Sequence, residues 1–147
     1  MFKHILIPTD GSDVAAKAIH AGVALAKEMG ARVTGFYAEE PRPMHLHNKG
    51  YRIEKELVAE FDRRSREYAE RSVAKIEDAA KAVGVPFDAR VVKSVEPYQA
   101  IIDAAAEREC DVIFMASHGH RGLTGLLLGG VTNGVLTHSK IPVLVFR

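Results

Sequence analysis

The sequence predicts a doubly wound α/β fold, a parallel sheet of five strands with helices on both faces. Two observations lead there. Five short apolar runs alternate along the chain with segments of helical spacing. The runs show no in–out alternation, so each is buried on both faces, as a parallel sheet under two helix layers requires. The 147 residues, 47% of them hydrophobic, suit one domain over residues 1–147 with no internal repeat.

Each element follows from its residues. Ile5-Leu6-Ile7 is the first strand, and Pro8-Thr9-Asp10-Gly11-Ser12 the turn that ends it. From Asp13 the spacing becomes helical, with Val14, Ala18, Ile19, Gly22, Val23, Ala26 and Met29 on one face. Gly30 is placed as the left-handed cap. Val33 to Ala38 is a second strand, stopped at Glu39-Glu40-Pro41-Arg42-Pro43, where two prolines remove backbone donors. Residues 44–52 are polar and irregular. Between Lys49 and Lys81 lie 17 charged residues, yet Ile53, Leu57, Phe61, Tyr68, Ser72, Ile76, Ala79 and Val83 mark an apolar helical stripe. The charges read as a solvated outer face, with Glu60–Arg64 and Glu67–Arg71 spaced i,i+4. Gly84-Val85-Pro86 stops that helix, and Phe87 to Lys93 is a third strand. Pro97 suits the first turn of a helix whose Ile101, Ile102, Ala105 and Ala106 face inward. Val112 to Ala116 is a fourth strand. A glycine-rich segment follows, then a helix from about Gly130 to His138 and a last strand in Pro142–Phe146.

Charge and composition exclude several classes of function. With 20 Lys+Arg against 19 Asp+Glu, no global field points at nucleic acid or an anionic membrane. No run approaches the roughly 20 apolar residues of a membrane span. The apolar start is too short for a signal peptide, and the single Cys110 permits no intrachain disulfide, so the expected compartment is the cytoplasm.

In folds of this class ligands bind at the carboxyl ends of strands, where the strand order reverses. The two most unusual loops follow the first and fourth strands: Pro8-Thr9-Asp10-Gly11-Ser12 and the segment from Ser117-His118-Gly119 to Gly129-Gly130. Six of the 12 glycines fall between Gly119 and Gly134. The segment closes on a helix start, where backbone N–H groups and the helix dipole favour a phosphate. His118, His120, Arg121 and the hydroxyls of Ser117 and Thr132 are further candidate donors. The segment is neither a Walker loop, lacking Lys-Ser/Thr, nor a G-x-G-x-x-G fingerprint. Asp10 reads two ways, as an acceptor for ribose hydroxyls or as an Asx turn with Ser12 capping the next helix, and its two oxygens can serve both. His118-x-His120 and His45-x-His47 each supply too few ligands for a zinc site.

Together these residues resemble the universal stress protein family over the whole chain. The opening Ile5-Leu6-Ile7-Pro8-Thr9-Asp10-Gly11-Ser12 is similar to the family's start. Ser117-His118-Gly119, Gly129-Gly130-Val131-Thr132 and Ile141-Pro142-Val143-Leu144-Val145 are similar to its end. The resemblance implies the strand order 3-2-1-4-5 and a homodimer paired through the last strand. Some members bind ATP through G-x2-G-x9-G-(Ser/Thr). Aligned here, Gly119 and Gly129 match, Ala116 replaces the first glycine and Gly130 the Ser/Thr. The resemblance carries Pro8, Thr9 and Asp10 to the adenine and ribose side. It carries Met115, His118, Gly119, Gly129, Val131 and Thr132 to the phosphate side. Tyr37 falls where the family has an apolar adenine contact, and a ring there either stacks on a base or blocks it.

The expected function is a stress-response module binding ATP or a related adenine nucleotide, with a divalent ion such as Mg or Mn, and with little or no catalysis. The glycine-rich segment has no acidic residue from Ser117 to Asn133 to orient a nucleophile. Two alternatives stand beside it. One is a member without nucleotide that acts through a protein partner. The other is a weak ATPase or self-phosphorylating protein using Thr132 or a nearby serine.

Overall fold

The computed structural model describes residues 1–41, 55–120 and 127–147. Its elements are β1 (His4–Pro8), α1 (Asp13–Met29), β2 (Arg32–Glu39), α2 (Lys55–Val83), β3 (Phe87–Lys93), α3 (Pro97–Glu107), β4 (Val112–Ala116), α4 (Gly130–His138) and β5 (Val143–Phe146). The strands form one parallel sheet in the order β3-β2-β1-β4-β5, as the sequence reading expected. Ile53, and the His45 and His47 pair, lie outside the described residues.

β1 is the axis of this arrangement. Ile5, Leu6 and Ile7 have no exposed surface, and the strand pairs with β2 on one edge and β4 on the other. Because side chains alternate along a strand, Ile5 and Ile7 enter a core with α1, α2, Val33, Val112 and Phe114. Leu6 enters the opposite core with Phe36, Ile113, Met115, α3 and Val135 of α4. Burying one such aliphatic side chain is worth about 1.5–3 kcal/mol, so this short strand anchors both helix layers.

The helix ends obey their local chemistry. Ser12 Oγ accepts from Ala15 N at 3.2 Å and starts α1. Gly30, at φ 62, ends it with bonds from Gly30 N to Lys27 O and from Ala31 N to Ala26 O. Gly84 ends α2 in the same way. At the end of α3 that bonding falls to Glu109, at φ 53, which composition did not mark.

α2 departs from the expected stripe. Its buried residues are Ala69, Ser72, Val73, Ile76 and Ala80, whereas Leu57 and Phe61 are 64% and 51% exposed. The reason is length. Twenty-nine residues span about 43 Å, longer than any strand beneath, so the first turns project beyond the carboxyl end of the sheet. Glu60 pairs with Arg64 as spaced, but Glu67 pairs with Arg63 instead of Arg71. Among the described residues no helix is long and apolar enough to cross a membrane.

A buried polar chain lies at the opposite, amino end of the sheet. Thr34 Oγ1 donates to Asp88 Oδ1 at 2.5 Å, so His4 Nε2, 2.7 Å from Thr34 Oγ1, must be the donor in that contact. His4 Nδ1 makes no hydrogen bond of ordinary geometry, although the Arg108 backbone lies close enough to pull on the ring. Burial first, and Arg32 second, lower the His4 pKa from 6.5 against opposing pulls from Asp88, the Arg108 backbone and Asp111. Burial also pushes the nearby Cys110 thiol up to about 12, so it stays protonated.

With its folded pKa below its unfolded value, His4 contributes stability that is fully present above pH 6.5 and lost as the pH falls further. Replacing it by His4→Gln is expected to destabilise the protein most at neutral pH. The gap between wild type and variant, measured by urea unfolding at a series of pH values, narrows in acid. A gap independent of pH would mean that His4 does not stay neutral in the folded chain.

Candidate functional site

The reversal of strand order at β1 and β4 opens a cleft of about 830 Å³ at the carboxyl ends of the strands, within the usual range for small-molecule sites of about 300–1,000 Å³. All twelve residues expected from the sequence line it. Pro8, Thr9 and Asp10 come from the end of β1, Tyr37 from β2, and Met115 and Ala116 from β4. His118 and Gly119 follow β4, while Gly129, Gly130, Val131 and Thr132 form the start of α4. Arg121 and the glycines at 122 and 125 lie outside the described residues.

Asp10 joins the two loops. Its Oδ1 accepts from Ser12 N at 2.9 Å, the Asx turn, and its Oδ2 accepts from His120 N at 2.7 Å. Burial by itself would raise the Asp10 pKa, but hydrogen bonds from Ser12 and His120 outweigh it and hold the carboxyl below its ordinary 3.8. The group is therefore an anion at neutral pH, and each oxygen keeps further acceptor capacity towards the cleft. Gly119 lies so close that a Cβ there would overlap the Asp10 carboxylate.

The start of α4 faces the same space. Gly129 is the N-cap residue and supplies no side-chain cap, so the first N–H groups of the helix are left for a ligand or water. Gly129 N itself is used, donating to Ser117 O at 2.9 Å. A Cβ on Gly129 would crowd His118, whereas one on Gly130 would meet nothing within 4 Å. Ala116 is 8% exposed and packs in the core beneath α1 while also lining the cleft.

Two expected donors prove to be occupied. The Thr132 hydroxyl is buried and donates to Ala116 O at 2.9 Å. Ser117 Oγ is also buried and lies 3.0 Å from His118 Nδ1. Thr132, the residue a self-phosphorylating reading would use, thus holds α4 to β4.

The cleft has two differently lined sides. Tyr37 sits on the α2 side, its ring edge-on to Tyr68 at 6.1 Å and 71°. Burial first, then Tyr68 and the carboxylates of Asp10, Glu39 and Glu40, push its hydroxyl pKa up to about 12. Phe36, Ala38, Met115 and Ile101 share the core on the α3 and α4 side. Ala38 was not anticipated. Phe36 O accepts from Thr9 N while Glu39 O accepts from Ser94 N. Backbone groups alternate between the two edges of a strand, so Ala38 turns its N–H and C=O to the edge that β1 has left. Also missed were Phe61, Ser65 and Tyr68 of the overhanging α2, together with Val95 and Pro97. The exposed end of the α2 stripe was the signal for the residues on that helix. Among the described residues no group of three or more His, Cys, Asp or Glu is placed to hold a metal.

Comparison with known proteins agrees with this geometry. The Universal stress protein family matches residues 1–147. A universal stress protein of Thermus aquaticus is 32% identical, with all of both chains covered. The structure of MJ0577 from Methanocaldococcus jannaschii superimposes with a TM-score of 0.81 at 29% identity, covering 99% of this chain and 95% of that one. Two more distant structures share the fold and hold adenine nucleotides. One is a universal stress protein in complex with cAMP, with a TM-score of 0.68 at 23% identity covering 99% and 97% of the two chains. The other, from Archaeoglobus fulgidus, is in complex with dAMP, with a TM-score of 0.61 at 19% identity covering 100% and 98%. Matched along its whole length, this chain belongs to the universal stress protein family.

Proposed function

We propose that the protein is a cytoplasmic, dimeric stress-response module that binds ATP or another adenine nucleotide and does little or no chemistry on it. The observation that carries this reading is the uncapped N-terminus of α4 facing an ionised Asp10 across the cleft. The first favours the phosphates. The second accepts hydrogen bonds from the sugar, and the apolar slot between Ala38 and Met115 takes the base, whose polar edge meets the Ala38 N–H and C=O.

The residues present fit the nucleotide better than they fit a metal. Gly130 leaves open space over the helix start, and Ala116 is largely taken up in the core. A divalent ion finds no protein cage among the described residues, so magnesium or manganese would enter held chiefly by the phosphates and water, as Mg²⁺ usually is. Among the described residues the carboxylates that line the cleft are Asp10, assigned to the sugar, and Glu40, beyond the end of β2, which supports binding without rapid turnover.

The proposed dimer uses β5. It is the edge strand of the sheet, and Leu144 and Leu136 are 36% and 40% exposed. An apolar strand edge of this kind invites pairing with a second copy. Light scattering is expected to report a dimer for the wild type and a monomer for Leu144→Lys. A dimer that persists in the variant would place the interface elsewhere.

Calorimetry is expected to show ATP binding at micromolar concentrations. An absence of heat at millimolar nucleotide would overturn the reading in favour of a module acting through a protein partner.

Gly130 is the cleanest position at which to test the phosphate end. Gly130→Ser adds a hydroxyl in open space, and one extra hydrogen bond of about 0.5–1.5 kcal/mol tightens binding roughly two- to tenfold. Gly130→Asp puts a negative charge at the helix start. It should stabilise α4 by about 0.3–1 kcal/mol while weakening ATP binding about tenfold or more by repelling phosphate. Opposite changes in melting temperature and affinity are the expected result. Affinity untouched by either substitution would mean that phosphate lies elsewhere.

A further inference from the structure

We propose that Tyr68, on α2, is a positioning residue of the nucleotide site, acting through His120 to fix the direction in which Asp10 presents its carboxylate. The inference rests on the nucleotide reading above and extends it to sugar selectivity. Tyr68 Oη lies 3.0 Å from His120 Nε2 and donates to the Asp10 carbonyl at 3.4 Å. The shorter contact pairs the hydroxyl with the ring nitrogen whichever of them donates. The backbone N–H of the same histidine donates to Asp10 Oδ2 at 2.7 Å. His120 is therefore gripped at its side chain by α2 and in turn grips the carboxylate with its backbone.

Two glycines make room at the two contact points of this junction. A Cβ at Gly11 would come within 2.5 Å of Tyr68 Oη and 2.7 Å of Ser72 Oγ. A Cβ at Gly119 would overlap the Asp10 carboxylate. Three segments that are distant in sequence, the β1 loop, the β4 loop and α2, thus meet at bare backbone. The Tyr37 ring, edge-on to Tyr68, closes the remaining side.

The consequence for a ligand follows from counting lone pairs. Asp10 Oδ1 is bonded to Ser12 N and Oδ2 to His120 N, and these two bonds fix the plane of the carboxylate. The Ser12 hydroxyl also bears on the carboxylate, and the acceptor capacity that is left lies towards the cleft, where two adjacent hydroxyls can share it. A ribose offers such a diol, while a 2′-deoxyribose offers a single hydroxyl. Loosening His120 should therefore be felt more by the ribonucleotide.

The test compares the full-length wild type with Tyr68→Phe, which keeps the ring and removes the hydroxyl. Two measurements are made: amide hydrogen exchange at His120 without nucleotide, and calorimetric affinities for ATP and 2′-deoxy-ATP. The melting temperature should hold. The His120 amide should exchange faster, and ATP affinity should fall about two- to tenfold, as loss of one hydrogen bond implies. Affinity for 2′-deoxy-ATP should fall less, so the preference for ribose narrows. In an Asp10→Asn background Tyr68→Phe should have no further effect. Unchanged exchange at His120, or equal losses for both nucleotides, would overturn the proposal. A wild type that binds neither nucleotide would overturn the nucleotide reading instead, and the exchange comparison would still decide whether Tyr68 holds His120.

Discussion

Complete burial of β1 on both faces, with both of its edges paired, is the constraint from which the rest of the molecule follows. Ile5 and Ile7 anchor the α1 and α2 layer, and Leu6 anchors the α3 and α4 layer. A strand in that position has no room beside it, so the chain must build outward twice, first to β2 and β3 and later to β4 and β5. The two directions leave a gap where they part. That gap is the cleft, and it exists because the core demanded a central strand.

The chemistry of the cleft is mostly backbone. Thr132 and Ser117, the hydroxyls nearest the phosphate side, are committed to Ala116 O and to the His118 ring. On the proposed reading, recognition falls to the N–H groups at the start of α4, the strand edge at Ala38, and one carboxylate. Asp10 serves as structure and as site together. Each of its oxygens receives a backbone N–H from a different loop, and those bonds keep it ionised despite its burial. Glycine is needed where backbones must approach such a group closely. The bunching of glycines in the sequence is the trace of that requirement.

Some of this was legible from local chemistry alone. Ser12 and Gly30 marked the two ends of α1 because capping depends on residues within one turn. Most of the expected lining residues were found because the two loops that carry them follow strands of unmistakable apolarity, while Tyr37, on β2, came from the family resemblance. What escaped notice depended on distance through space. The stripe from Leu57 to Val83 looked uniform, and only the length of the sheet beneath decides that its first turns overhang. Tyr68 and His120 are 52 residues apart, and nothing in either neighbourhood announces their contact. Glu67 had an arginine four residues away on either side, Arg63 and Arg71, and the geometry selected Arg63.

The sequence by itself determined the class of fold, the order of its elements, its family and the two loops that carry the site. Periodicity, capping and glycine placement are local, and five apolar runs leave little choice of sheet. Tertiary structure alone decided which polar groups remain available to a ligand. The Thr132 hydroxyl is taken by a carbonyl sixteen residues away, and the Ala38 backbone is left open because a neighbouring strand ends early. A buried polar atom takes whatever partner the packed chain brings within reach. Residue type names what a group can do, and the fold decides what is left for it to do.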